Sequence, residues 1–436
     1  MESQKDDLYQ DEIEESQREE NENENDYSIW KNNAPYLYDV LITWGLDWPS
    51  LCVNWLQKIE YRKDVSYYKQ KMILGTHTSD QEADYLMIAK VNLPISKKNI
   101  ASHPPDEDNQ LSKEDFNYII NNVNKMTNEQ MIDEYSKIEN KIQIETKIRH
   151  DGEVNKARAS PHNYNIIATQ SNNGDINIFD IFKFPPNPID DKIQKPTKKL
   201  KYHTKIGYAL SWSSFNNNHL VSGSYDHSVC LWDIESKTAD PFYVPIKVYK
   251  EHKSEVEDVC FSKKMEYIFA TCGDDKCINI FDYRKESPIF SILGHEAEIN
   301  SIDFNPQNEY LYITGSGDKS VALWDLRKPD LKLHSFNHHK GAIFNVKWNT
   351  KRSNIFASSG EDNEILIWDL TQIGANIGRD DNEEAPSEMI FAHKGHLDKI
   401  NDIDWNPYED MMCASVDDMN NLQIWEMNIK SIINKD

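Results

Sequence analysis

The chain has 436 residues and a formal charge of −25, from 48 Lys and Arg against 73 Asp and Glu. This acidic balance excludes the basic stripe that displaces counterions from a duplex, so we expect basic protein partners and no direct nucleic-acid binding. The sequence has no apolar run long enough for a membrane span or secretory segment, and its six cysteines form no C-x-x-C pair, which indicates reduced thiols.

The first 35 residues are predicted to form an acidic tail and a helix. Residues 1–26 are rich in acidic and amide side chains, a composition typical of disorder, although a helix over residues 6–18 is an alternative. Ile29 and Trp30 then offer enough apolar surface to pin the end of a helix on the rest of the protein.

The next segment is predicted to form the strands of a first sheet. The strands are expected at Tyr38–Trp44, Leu51–Leu56, Lys71–His77 and Tyr85–Val91. Residues 96–140 interrupt them as an insertion that contains a Pro-Pro pair and a polar stretch compatible with helix, and we expect it to be partly disordered. Lys141–Arg149 alternates apolar and polar residues and completes the sheet.

A pattern that we call the repeat frame then recurs six times. Each copy has a histidine, a hydroxyl residue 19 positions later, an aromatic residue 29 positions later and an acid directly after the aromatic residue. The histidines are His150, His203, His252, His295, His339 and His396, and the aromatic residues are Phe179, Trp232, Phe281, Trp324, Trp368 and Trp425. A repeat of this length is typical of four-stranded blades arranged around an axis.

The six framed repeats and the unframed sheet before them predict an all-β fold, a seven-bladed WD-repeat β-propeller with an N-terminal α-helix. The last copy lacks a fourth strand, so we expect Tyr38–Trp44 to complete it and close the ring. The predicted boundaries are an acidic tail and helix at 1–35, the propeller at 36–427, with the insertion at 96–140 and an acidic loop at 374–388, and a C-terminal tail at 428–436.

The repeat frame predicts a buried hydrogen-bond chain and not a catalytic triad. Four copies place an acid 23 residues after the histidine, at Asp226, Asp275, Asp318 and Asp362. Because a nucleophile is needed once and not six times, and no G-x-S-x-G elbow is present, we expect no enzyme, cofactor or metal site. Asn173 and Met419 replace the acid in the other two copies, which predicts that those blades are held less tightly.

The residues three and five positions after each framed histidine are predicted to face one rim of the central channel, because side chains alternate along a strand. These pairs are Glu153/Asn155, Ile206/Tyr208, Glu255/Glu257, Glu298/Asn300, Ala342/Phe344 and Lys399/Asn401. An acidic ring with aromatic interruptions suits an extended basic peptide, and a solvated face is the alternative interpretation.

An acidic insertion follows Trp368-Asp369. Residues 378–388 lead into the apolar stretch Met389-Ile390-Phe391. Packed against the N-terminal helix, this segment is expected to form a groove with an acidic rim and an apolar floor of Trp30, Leu37 and Phe391. Such a groove suits an amphipathic basic helix.

Several segments resemble the retinoblastoma-binding, chromatin-assembly-factor small-subunit family of WD-repeat histone chaperones. They are Ile29-Trp30-Lys31 with Pro35–Asp39, Asp47–Leu51, Leu74–Ser79, Gly152–Asn155, Ser320–Arg327 and Lys332–Phe336. The resemblance runs from about residue 27 to 427 and implies a nuclear, and also cytoplasmic, scaffold that joins other subunits in chromatin assembly, deacetylase and chromatin-modifying complexes.

The resemblance also implies two binding sites. A groove for the first helix of histone H4, free or in H3–H4, matches Ile29, Tyr36, Leu37, Asp380, Asp381, Glu383, Glu384 and Phe391. A channel rim for basic peptide tails matches Asp47, His77, Glu153, Asn155, Tyr208, Glu257, Asn300, Phe344, Lys399 and Asp418. Ile206 and Ala342 replace two rim acids of the family pattern, which weakens the expectation for the rim.

Two other functions fit parts of the sequence. Trp324-Asp325-Leu326-Arg327 matches the W-D-x-R pattern of substrate receptors of cullin-type ubiquitin ligases, with Arg327 as the contact to the adaptor. An arginine that pairs with a neighbouring blade is the competing interpretation. The N-terminal signature is shared with glutamate-rich WD-repeat proteins of ribosome assembly, but the loop before Phe391 favours the histone chaperones.

Overall fold

Alternating apolar residues give every strand a side to bury, and successive sheets pack against each other around a central channel. The computed structural model describes residues 26–61, 67–95, 113–184, 194–236, 242–375 and 385–428. These residues form seven four-stranded antiparallel sheets, which confirms the predicted seven-bladed β-propeller with an N-terminal helix. None of the helices described is long and apolar enough to cross a membrane.

The elements follow the chain from the N-terminal side. Helix α1 covers residues 26–37, and strand β1 is Tyr38–Gly45. Blade 1 consists of β2 (Val53–Tyr61), β3 (Tyr67–Gly75), β4 (Tyr85–Pro94) and β5 (Ile142–Arg149), with helices α2 (Lys113–Lys125) and α3 (Asn128–Ser136) between β4 and β5. Blade 2 consists of β6 (Val154–Ala159), β7 (Ile166–Ser171), β8 (Ile176–Asp180) and β9 (Lys198–Leu200). Blade 3 consists of β10 (Ala209–Trp212), β11 (His219–Gly223), β12 (Val229–Asp233) and β13 (Lys247–Tyr249).

The remaining blades have the same order of strands. Blade 4 consists of β14 (Val256–Phe261), β15 (Ile268–Gly273), β16 (Cys277–Asp282) and β17 (Phe290–Leu293). Blade 5 consists of β18 (Ile299–Phe304), β19 (Leu311–Ser316), β20 (Ser320–Asp325) and β21 (Lys332–Asn337). Blade 6 consists of β22 (Ile343–Trp348), β23 (Ile355–Gly360), β24 (Ile365–Asp369) and β25 (Met389–His393). Blade 7 consists of β26 (Ile400–Trp405), β27 (Met412–Asp417), β28 (Asn421–Met427) and β1.

Strand β1 closes the ring, as the sequence predicts. It pairs antiparallel with β28 along most of its length, with Leu41 opposite Trp425. Val40 and Ile42 are buried against residues of blade 1 and blade 7. The two ends of the propeller therefore share one sheet, and the closing blade gains its outer strand from the beginning of the chain.

The insertion of blade 1 contains a pair of helices. Phe116, Ile119 and Val123 are buried at helical spacing on α2, and the ring of Phe116 lies 5.4 Å from that of Tyr61. β3 begins at Tyr67, earlier than predicted, because its first residues pair with the end of β4 beneath this helix. The disorder expected for residues 96–112 lies outside the described residues.

The repeat frame forms the predicted hydrogen-bond chain. In blade 5, Nδ1 of His295 lies 2.9 Å from Asp318 and Nε2 lies 2.8 Å from the hydroxyl of Thr314. The indole of Trp324 donates to the same hydroxyl at 2.8 Å. Thr314 is fully buried, so this chain joins the strands of a blade in the interior and satisfies each polar group.

Two blades have phenylalanine in place of tryptophan, and an asparagine supplies the missing N–H donor. In blade 4, Nδ2 of Asn279 lies 3.0 Å from Nε2 of His252. In blade 2, Nδ2 of Asn177 lies 3.4 Å from Nε2 of His150. The blades that have tryptophan carry Cys230, Ala322, Leu366 and Gln423 at the same position. The buried histidine thus keeps the same number of partners with either aromatic residue.

The prediction that blade 7 is held less tightly is wrong. Met419 does not replace an essential acid there, because Asp417 lies 2.7 Å from Nδ1 of His396. Both side chains of this pair are fully buried. The carboxylate has moved two residues towards the N-terminus and into the end of β27.

Blade 2 departs from the frame. Asn173 caps its own turn through Ser171 and the backbone of Asp175, and Nδ1 of His150 contacts the carbonyl oxygen of Gly152 at 2.8 Å. Burial lowers the pKa of His150 to about 4. This histidine is therefore neutral at physiological pH and has a backbone partner where the other framed histidines have a carboxylate.

Charged side chains of the inner strands join blade 7 to blades 1 and 2. Asp402 on β26 accepts the backbone N–H of Val53 at 2.9 Å, and Arg158 on β6 donates to Asp402 at 2.8 and 3.0 Å. Burial alone would raise the pKa of Asp402, but Arg158 and Lys156 hold it well below its usual range. We call these contacts the closing seam, because they span the three blades where the ring closes.

Candidate functional site

Helix α1 packs on the sheet of blade 7 and the edge of blade 6. Tyr27, Trp30, Ala34 and Leu37 follow each other at helical spacing and contact one apolar cluster of these blades. The carbonyl oxygen of Leu37 also accepts the backbone N–H of Asn428 at 2.9 Å. The opposite face of α1 is therefore free to meet solvent.

A hydrogen-bond relay fixes the helix in place. The indole of Trp30 donates to the hydroxyl of Tyr38 at 2.8 Å, and that hydroxyl lies 2.7 Å from Nδ1 of His393. A Cβ atom on Gly395 would approach Trp30 to 2.8 Å, so glycine leaves the space that the indole fills. Burial holds the pKa of His393 well below its usual value, so its ring is neutral and stacks on Trp425.

The structure changes the roles of two predicted groove residues. Trp30 and Phe391 belong to the core that fastens α1, with exposures of 8% and 6%, and they do not form an open floor. Ile29 and Tyr36 are exposed by 52% and 75% and lie two turns apart on the outer face of α1, while Leu37 is half-buried. The predicted acids Asp380, Asp381, Glu383 and Glu384 lie outside the described residues.

The described chain after residue 384 is anchored to neighbouring elements. Glu388 lies 3.0 Å from His334 on blade 5, and Ser387 donates to the carbonyl oxygen of Gln372 at 2.8 Å. Burial would raise the pKa of Glu388, but the hydrogen bond from His334 holds it below its usual range. The end of the acidic segment is thus fixed at the entrance to β25.

The second predicted site surrounds a cavity of about 490 Å³ at one mouth of the channel, which we call the channel cavity. Its walls bring together eight of the ten predicted rim residues: His77, Asn155, Tyr208, Glu257, Asn300, Phe344, Lys399 and Asp418. Glu153 stands behind His77, 3.4 Å from Nε2, and Asp47 is exposed and does not line the cavity.

The sequence analysis missed a second ring of residues at this mouth. Tyr225 lines the channel cavity and immediately precedes the turn acid of blade 3. The equivalent residues of blades 4 and 6 are Asp274 and Glu361, and the Glu361 carboxylate accepts the backbone N–H of Ala342 at 3.1 Å. The repeat spacing could have identified this position, and it returns a carboxylate to the blade where Ala342 replaces an acid.

The wall on blades 3 and 4 is aromatic and acidic. The rings of Tyr208 and Tyr225 lie 5.7 Å apart, and the hydroxyl of Tyr225 donates to Glu257 at 3.2 Å. Burial and the nearby Asp274 raise the pKa of Glu257 to about 7. On the opposite wall, Lys399 is paired with Asp418 at 2.9 Å, so the charge there is balanced.

Arg327 projects from blade 5 but is held within that blade. Its side chain is 62% exposed, its guanidinium donates to Asp325 at 2.6 and 2.9 Å, and it lies 4.5 Å from the centre of the Tyr310 ring. Arg284 makes the same contacts in blade 4. The predicted pairing with a neighbouring blade is wrong, because the partner comes from the arginine's own blade.

Comparisons with known protein families match two parts of the chain. Residues 25–95 match the histone-binding family of RBBP4 and of the corresponding subunit of the CAF1 complex. Residues 194–233, 243–282, 286–325 and 331–369 match the WD domain, G-beta repeat. The first match covers α1, β1 and three strands of blade 1, and each repeat match ends at the aromatic-acid pair of a repeat frame.

Proposed function

The chain is a WD-repeat histone-binding protein of the RBBP4 type, and we propose that it binds the first helix of histone H4 between α1 and the acidic segment 374–388. The observation that carries this proposal is the family match over residues 25–95, which contains all of the described part of α1. In this role the protein is a nuclear scaffold subunit for chromatin assembly, and it performs no chemistry itself.

Three features support the position of the site. Ile29 and Tyr36 are large apolar side chains exposed on the outer face of α1. The relay through Tyr38 holds that face rigidly on the propeller. The segment 374–388 contributes Asp380, Asp381, Glu383 and Glu384 to a chain that returns beside α1 at β25. Apolar anchors with acids nearby suit an amphipathic helix that carries Lys and Arg on its polar face.

Titration of a labelled H4 first-helix peptide tests the proposal. Reversal of the four acids to lysine should abolish binding, because the basic face of the helix would then meet like charge. The affinity of the unmodified protein should also fall with added salt. Ile29→Asp should weaken binding separately, through loss of an apolar anchor.

A matched variant separates local contacts from total charge. Reversal of four exposed acids on blades 3 to 5, namely Glu251, Glu286, Glu296 and Asp330, changes the net charge equally. It should leave the affinity within a few-fold of the unmodified value, because distant charges are screened. Equal losses in the two variants, or full binding by the first, would contradict the proposed site.

We also propose that the channel cavity binds an Arg- or Lys-rich tail, as the family resemblance implies. The support is its shape and chemistry: two tyrosine rings, Phe344 and the carboxyl group of Glu257 around a space of about 490 Å³. Aromatic faces and a carboxylate together stabilise a cationic side chain. Exchange of Glu257 for Gln should weaken a basic tail peptide and leave the H4 helix peptide unaffected.

A further inference from the structure

The acidic wall of the channel cavity contains two carboxyl groups in direct contact. Asp274, in the turn after β15, hydrogen-bonds with Glu257 on the inner strand β14. Two carboxylates cannot both be charged at this distance without strong repulsion, so such a pair retains a proton more readily than a single acid.

The groups that face Glu257 come from several elements. Glu255 and Asp258 on its own strand and Asp274 on the adjoining turn disfavour its charge, and the hydroxyl of Tyr225 favours it. Tyr208 on blade 3 and Asn300 on β18 complete the surroundings. The nearby bases act elsewhere: His227 lies 3.9 Å from Glu255, and Lys156 pairs with Asp402 in the closing seam.

A second observation points to a ligand in the same space. Asn155 lines the channel cavity with 1% of its surface exposed, and its amide donates to the carbonyl oxygen of Gly207 at 3.3 Å. Within the described residues, its side-chain oxygen accepts no hydrogen bond. Because an unpaired buried acceptor is costly, this oxygen suits an N–H donor from a bound molecule.

We propose that a cationic side chain enters the channel cavity by displacing the proton held between Glu257 and Asp274, so that capture of a basic tail at the rim strengthens as the pH rises. The step is balanced: the cation occupies the place of the proton, and the proton passes to solvent. This inference rests on the proposed binding of basic tails at the rim, and it adds the condition under which that binding occurs.

The direction and size of the effect follow from the pKa of Glu257, which burial and Asp274 raise to about 7. The free protein is then about half protonated at pH 7, mostly protonated at pH 6 and mostly charged at pH 8. Since only the charged form is competent, the apparent affinity should be about tenfold weaker at pH 6 than at pH 8.

Isothermal titration calorimetry with a capped peptide of Arg, Lys and Ala measures this coupling directly. The peptide contains no group that titrates between pH 6 and 8, and a His77→Gln/His227→Gln background removes the two histidines near the wall. Measurements at pH 7 in buffers of different ionisation enthalpy should show release of about half a proton per peptide bound.

Two variants should move the pH profile in opposite directions. Asp274→Asn removes the neighbouring charge, so the midpoint should shift to lower pH and binding at pH 6 should approach that at pH 8. Tyr225→Phe removes a hydrogen bond that favours the charged carboxylate, so the midpoint should shift to higher pH. Both changes conserve side-chain size, and the H4 helix peptide reports whether the protein remains folded.

The outcomes separate the two proposals. Failure of the basic peptide to bind at any pH would overturn the tail-binding function of the rim, and the coupling with it. Binding that is independent of pH and of buffer ionisation would overturn the coupling alone. Proton release that persists unchanged in Asp274→Asn would also overturn it, because the proton would then come from another group.

Discussion

At the scale of single residues, the repeat frame is a way to bury polar groups without leaving them unpaired. The framed histidine links an acid or a backbone carbonyl on one side to a hydroxyl on the other. Where tryptophan is absent, an asparagine restores the donor. Each copy therefore keeps the hydrogen-bond balance while the residues that supply it vary.

The buried pair in blade 7 gives a prediction at this scale. Asp417→Ala leaves Nδ1 of His396 and the backbone N–H of Asn421 without their acceptor, and should lower the free energy of unfolding by about 3–5 kcal/mol. Chemical denaturation measures the change. Met419→Ala, at the exposed position where the sequence suggested a missing acid, should change the stability by less than about 0.5 kcal/mol. Similar losses in both variants would contradict the assignment of Asp417.

Spacing predicted the histidine, hydroxyl and aromatic positions because every copy shares them. It could not predict Asp417, since that acid lies two residues from the repeated position and its role depends on the end of β27. The ring of Tyr225, Asp274 and Glu361 was missed for a different reason. These residues differ in chemistry from blade to blade, so only their position in the turn connects them.

At the scale of elements, α1 is a rigid part of the propeller. Trp30, Tyr38 and His393 come from α1, β1 and β25, and their relay crosses from the helix to blade 6. The sequence predicted that Trp30 anchors a helix, but it also placed Trp30 and Phe391 in an open floor. Apolar character alone does not distinguish a residue that fastens a helix from one that receives a partner.

The relay gives a prediction for α1. Tyr38→Phe keeps the ring but leaves the Trp30 indole and His393 Nδ1 unpaired, which should destabilise the packed helix by about 1–3 kcal/mol. Hydrogen exchange should become faster in residues 26–37 while the inner strands keep their protection. Tyr36→Phe removes the hydroxyl of a tyrosine that is 75% exposed and should have no effect. Unchanged exchange in Tyr38→Phe would show that the relay does not hold the helix.

At the scale of the whole molecule, two devices close the ring. Strand β1 joins the sheet of the last blade, and the closing seam ties the inner strands of blades 7, 1 and 2. The first was predictable because a blade short of one strand needs a partner from the other end. The second was not, because Asp402 and Arg158 are 244 residues apart and sequence spacing carries no sign of their contact.

The closing seam should be the part of the channel most sensitive to loss of one charge. Asp402→Ala leaves Arg158 and Lys156 buried without their carboxylate, and we expect a loss of about 3–5 kcal/mol in the free energy of unfolding. Asp133→Ala removes an exposed pair with Lys137 and should leave the melting temperature unchanged. An equally small effect of Asp402→Ala would mean that the sheets alone hold the ring closed.

The central claim, that histone H4 binds beside α1, is tested most directly by a hydrogen-exchange footprint of the H4 first-helix peptide on the full chain. The account predicts slower exchange in residues 26–37 and in the segment 374–391, with no change at the mouth of the channel around Tyr208, Glu257 and Phe344. Protection confined to the channel mouth, or protection that leaves α1 unchanged, would contradict it.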